Sequence, residues 1–144
     1  MAITQGATNT FKLGILNGDF DLTLGSFKIA LFNGLASIGP DTTAYTSGMT
    51  GEVVASGYTA GGEALTITQA PTIGTQTGNA TAYLSFANVT WNAALTARGA
   101  LIYQVGSGYS AVCVLYFCAD KTSTTTFIVQ FPSVTSTAAI IRIS

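Results

Sequence analysis

The sequence predicts an all-β fold: a β-sandwich or small barrel of about seven to eight antiparallel strands with one short N-terminal helix. Three observations carry this. Thr, Ser and Gly number 23, 11 and 16 of the 144 residues, while charged residues make up only 8%. Threonine is β-branched and fits a pleated, half-wet surface, and glycine supplies the turns between strands. Apolar and polar residues alternate in short runs separated by turn signals, the pattern of strands with one face inward.

The elements follow in order. Thr8 or Thr10 can cap a helix whose Phe11 and Ile15 lie one turn apart with Leu16 extending the stripe, and Asn17-Gly18 stops it. Ser26 to Asn33 alternates as a strand, with Phe27, Ile29 and Leu31 on one face and Lys28, Ala30 and Phe32 on the other. Gly34 to Gly62 is mostly turn chemistry, with short extended pieces near Glu52–Ala55 and Tyr58. Glu63 to Gln69 reads as a strand, Pro71 to Asn79 as a loop, and Thr81 to Phe86 as a strand, followed by Val89-Thr90-Trp91. Arg98 to Val105 pairs with Ser110 to Cys118 through a Gly106-Ser107-Gly108 turn. Asp120 to Ser123 is a further turn, Thr125 to Phe131 a strand that stops at Pro132, and Ala138 to Ile143 the last strand. No repeat or linker divides the chain, so residues 1–144 are expected to form a single domain.

Composition excludes several functions. A net charge of −1 lacks the basic footprint that nucleic-acid binding requires. The absence of histidine removes Ser-His-Asp and Cys-His catalysis, and no enzyme activity is expected. Two thiols without histidine cannot complete a zinc site, and Asp19-x-Asp21 falls short of the oxygen ligands calcium takes. Gly57 to Gly62 lacks the lysine and following helix of a phosphate loop. No cofactor and no metal are therefore expected. The uncharged run from Gly99 to Ala119 is interrupted by Gln104 and two glycines, so it reads as two strands rather than a membrane helix. The first ten residues carry no basic or apolar signal region. Cys113 and Cys118, five positions apart on one strand, would face opposite ways, too distant to bridge, and are expected to be reduced.

The six acids, at Asp19, Asp21, Asp41, Glu52, Glu63 and Asp120, all lie in or beside predicted turns and read as solvated. The candidate contact residues are Tyr45, Tyr58, Tyr109, Arg98 and Trp91, with Tyr103 as a further stacking aromatic. Tyr109 sits at a hairpin tip. Arg98, the sole basic residue between Lys28 and Lys121, has an acid on this chain or on a neighbour as its partner. The region Gly34–Gly62, the loop Pro71–Asn79 and an N-terminal arm through Thr10 are the segments expected to carry contacts. A weakly charged surface permits association, which points to a homodimer or homotrimer.

Several segments taken together are similar to a known group. They are Gly14–Leu22 (GILNGDFDL), Phe27–Leu31 (FKIAL), Thr43–Thr46 (TAYT) and Gly57–Gly62 (GYTAGG), followed by Ala97–Tyr103 (ARGALIY), Asp120-Lys121, Phe127–Pro132 (FIVQFP) and Ala139–Ile143 (AIIRI). In this order and spacing the chain resembles a family of small structural proteins of tailed bacteriophages. The resemblance covers nearly all of the chain. It implies a virion protein of the capsid cement or decoration type, made in the bacterial host cytoplasm, placed on the capsid exterior and bound to the major capsid protein. A tail, fibre or baseplate component is the alternative it leaves open. A carbohydrate-binding module using Trp91 and exposed tyrosines is a third reading, from the residues alone.

Overall fold

The computed structural model describes residues 2–76, 79–106, 108–135 and 137–143. Met1, residues 77 and 78 of the predicted Pro71–Asn79 loop, Ser107 of the predicted hairpin turn, Ser136 and Ser144 lie outside the described residues. The fold is all-β with one helix, α1 (Asn9–Asn17). Its strands are β1 (Gly6–Ala7), β2 (Phe27–Phe32), β3 (Glu63–Leu65), β4 (Ile67–Gln76), β5 (Asn79–Phe86), β6 (Val89–Trp91), β7 (Thr96–Gln104), β8 (Ala111–Thr122), β9 (Phe127–Val129) and β10 (Ile141–Ile143). They form antiparallel sheets in the orders β1-β8-β7-β2-β3, β10-β5-β4 and β6-β9.

The five-stranded sheet is buried on both faces. Phe27, Ile29, Leu31, Ala100 and Ile102 face the main core, where Leu84, Phe86, Val89, Trp91 and Phe127 of the two smaller sheets meet them. This is the sandwich. On the opposite face, Ala30, Phe32, Leu101, Tyr103 and Val114 pack beneath Ile3, Ala36, Ile38 and Tyr45. The long 34–62 segment and the N-terminal residues therefore serve as a second lid over the sheet. Between two apolar layers a strand reads as a near-continuous apolar run, which accounts for Ala100–Tyr103 being buried without alternation.

Helix α1 begins where Thr8, in an extended conformation, accepts a hydrogen bond from Phe11 N at 3.0 Å. It ends at Gly18, whose left-handed φ of 78° places its N–H on the carbonyls of Gly14 and Ile15.

Four expectations need correction. Glu63–Gln69 is not one strand: the chain changes sheet at Thr66, from β3 to β4. The predicted loop from Pro71 is largely strand, because β4 runs on to Gln76 against β5. Pro71 is accommodated where the register shifts between Gln69 and Thr72, on an edge strand that can spare an N–H. The predicted turn at Asp120 lies within β8, which re-pairs Lys121 and Thr122 with Ala97 and Thr96 after a bulge at residues 117–120. Cys118 occupies that bulge with φ 67°. Finally, the N-terminal arm is tied to its own chain, Ile3 bridging Ile38 and Gly6–Ala7 pairing with Val114 and Cys113.

Candidate functional site

Among the described residues the one buried carboxylate is Glu52, and the long segment folds around it. Asn33 N donates to Gly51 O at 2.7 Å and Val53 N to Leu31 O at 2.9 Å, so residues 51–53 extend the β2 edge beyond β3. Between these two coverings of the edge, Leu31 N donates to the Tyr58 hydroxyl at 2.9 Å. Tyr58 in turn donates to Glu52 Oε1 at 3.1 Å, Tyr45 donates to Oε2 at 2.9 Å, and Gly61 N donates to Oε1 at 2.6 Å. Three donors meet the carboxylate where it is only 8% exposed.

The aromatic side of this cluster runs to the surface. Tyr45 stacks on Tyr103 with ring centroids 4.6 Å apart, and Tyr103 meets Tyr109 edge-on at 6.2 Å. The Tyr103 hydroxyl donates to Gly61 O at 2.7 Å. Burial, reinforced by hydrogen bonding to Glu52, pushes the Tyr45 phenol well above its ordinary range. Burial does the same at Tyr58, outweighing the Leu31 N–H that opposes it. At Tyr103 burial, followed by the Glu52 charge, raises the phenol to about 12. Burial alone pushes the Cys113 thiol up to about 12, while Cys118 is exposed and both cysteines are free.

The structure thus corrects the reading of several residues. Tyr45, Tyr58 and Trp91 are buried at 8%, 9% and 2% exposure, so none presents its ring to a partner. Trp91 lies between Tyr58 and Phe127, with centroids 6.3 and 6.2 Å away, which removes the sugar-stacking role assigned to it. Tyr109 is half exposed. Arg98 finds its acid on the same chain: Nε lies 2.7 Å from Asp120 Oδ1, across the β8 bulge. Glu52 is not solvated, whereas the other five acids are exposed. Of those, Asp21 accepts from Thr23 N and Leu24 N in its own turn, and Asp41 accepts from Asn9. The signal available for Glu52 was its place before Val53-Val54, in an extended piece flanked by two tyrosines.

Among the described residues, no group of three or more His, Cys, Asp and Glu side chains could hold a metal ion, and no helix is long and apolar enough to cross a membrane. Exposed apolar side chains are plentiful: Leu13, Leu16, Leu24, Leu35 and Val54 are each at least 60% exposed.

No protein-family model, no curated protein and no solved structure matches this chain.

Proposed function

We propose that the chain is a structural component of a virion, a cement protein on the exterior of a tailed-phage capsid that binds the major capsid protein. The observation that carries the reading is the composition of the surface. Among the described residues twelve large apolar side chains are exposed, on a chain with only five basic and six acidic residues. Such a surface has little charge to keep it from association and much apolar area to gain by it.

Two further features support a scaffold held by neighbours. The five-stranded sheet is covered on both faces, and the Glu52 cluster ties the long covering segment to the β2 edge. A shell-reinforcing protein needs such stiffness, since it resists force rather than turning over a substrate. The segment resemblance to small phage structural proteins supplies the particular setting.

The test is quantitative mass spectrometry of purified particles from the phage that carries the gene, with antibody labelling. A copy number comparable to that of the main shell subunit, with label on the capsid, is the expected result. A few copies per particle with label on the tail would move the protein to the tail, fibre or baseplate. Absence from the particle overturns the reading.

A further inference from the structure

Two sheets present an edge on the same side of the molecule: that of β8 is largely covered, and that of β10 is open. Strand β1 is two residues long, so it covers β8 only at Cys113 and Val114. Beyond it, the chain has turned away to place Ile3 on Ile38. The next outward N–H of β8, on Tyr116, donates to the Gln5 side-chain oxygen at 3.1 Å. A side chain thus stands where a longer strand would continue the ladder. Opposite, β10 ends the three-stranded sheet and, among the described residues, pairs with β5 alone.

Between these edges runs a groove of about 520 Å3. Phe11, Ile15, Leu115 and Ile141 line it, and Leu16 and Ile143, 85% and 53% exposed, also line it. Its charged lining residues are Lys12 and Arg142, with no acid among them. Two of the five cations of a net-negative chain therefore lie at one apolar groove. Arg142 donates to Thr137 O at 2.5 Å, and Lys12 has no ion pair among the described residues.

We propose that this groove docks an extended segment of another polypeptide, with apolar side chains at alternate positions and carboxylates that meet Lys12 and Arg142. The segment adds a strand to an open edge: main-chain hydrogen bonds give affinity and alternate side chains fill the groove. Charge decides against a second copy of this chain. An isologous contact apposes the same patch on both partners and would set Lys12 and Arg142 against themselves. The open edge decides against an anionic amphiphile, which has no backbone to continue a ladder. The inference stands on the groove alone and does not depend on the virion reading.

The probe is a fluorescein-labelled octapeptide alternating valine with glutamate and threonine, titrated against the full chain and read by anisotropy. Its area is below that of a standard interface, so a Kd of about 10–100 μM is expected. Replacing its glutamates by lysines is expected to weaken binding about tenfold or more, as are Leu16→Asp and Lys12→Glu in the protein. Both variants alter exposed side chains and leave the fold intact by far-UV circular dichroism. Val54→Ser, an exposed change away from the groove lining, leaves binding unchanged. Slowed amide exchange at β10 locates the added strand. Equal binding of acidic and basic peptides, or binding indifferent to Leu16→Asp, overturns the proposal. So does failure of both peptides to bind, with or without Lys12-dependent binding of decanoate, or a dimer that Leu16→Asp disperses.

Discussion

The Tyr45 hydroxyl donates to Glu52 Oε2 at 2.9 Å within the folded interior, joining two parts of a segment that has little regular secondary structure of its own. Because Tyr58 and Gly61 N also converge on Glu52, a single carboxylate organises residues 45–61. A buried polar group with its partners in place specifies one arrangement, and removing it leaves those partners without an acceptor.

Glu52→Ala is accordingly expected to cost about 3–5 kcal/mol, because three neutral donors are left without their acceptor in the interior. Glu52→Gln keeps the shape and one acceptor oxygen and is expected to cost about 1–3 kcal/mol. Urea unfolding of both variants measures this. An Ala variant less than about 1 kcal/mol below wild type would show that the three donors find other acceptors.

Alkaline pH attacks the same region. Cys113 and Tyr103 are both raised to about 12, from ordinary values of 9.0 and 10.0, and Tyr45 and Tyr58 are raised further. These groups stay protonated in the folded state while the unfolded chain loses its protons. Stability is therefore complete below pH 9 and declines as pH rises towards 12. Each group in its titration window contributes up to about 1.4 kcal/mol per pH unit. The urea midpoint is expected to fall from pH 9 upward, first through Cys113, and Cys113→Ala is expected to delay the onset by about one pH unit. A midpoint level from pH 8 to 11.5 contradicts the assignment.

The pattern of legible and illegible features has one physical source. Local signals were sufficient for α1, whose cap Thr8 and stop Gly18 are in its own sequence, and for the β7–β8 hairpin. Alternation also placed β2. It did not show that Ala30 and Phe32 are as buried as Ile29 and Leu31, because the cover on their side comes from Ile38 and Tyr45 in an irregular segment. Glu52 was illegible for the same reason: its donors lie 6 to 9 residues away, and only the folded segment brings them to it. The strand content of Pro71–Gln76 was hidden by turn-forming residues that an edge strand with a register shift tolerates.

The turn before β3 supplies a steric test. Gly62 has φ 76°, and a Cβ added there would lie 1.8 Å from Ile29 O and 2.6 Å from Ile29 C. Gly18 has nearly the same φ, 78°, with nothing within 4 Å of the added atom. Gly18→Ala therefore carries only the left-handed backbone cost, about 1–2 kcal/mol. Gly62→Ala adds a clash with backbone that cannot move without breaking the β2–β3 pairing, and is expected to cost more than about 4 kcal/mol or prevent folding. Thermal unfolding of the two variants compares them directly, and equal losses would mean that the β2 edge yields.

Thr8 joins the helix to the five-stranded sheet through one oxygen. Its Oγ1 accepts from Phe11 N at 3.0 Å and donates to Ala111 O at 2.7 Å, while its N–H donates to Val112 O at 2.9 Å. The side chain is fully buried. Thr8→Val preserves volume but loses both hydroxyl bonds, and is expected to cost about 2–3 kcal/mol. Thr8→Ser keeps the hydroxyl, loses a methyl and is expected to cost about 1 kcal/mol. The order of the two variants is the decisive reading, because a purely apolar role would reverse it. Urea midpoints followed by both far-UV circular dichroism and tryptophan fluorescence provide the check. If Val proves at least as stable as Ser, α1 is held by Phe11 and Ile15 packing rather than by its cap.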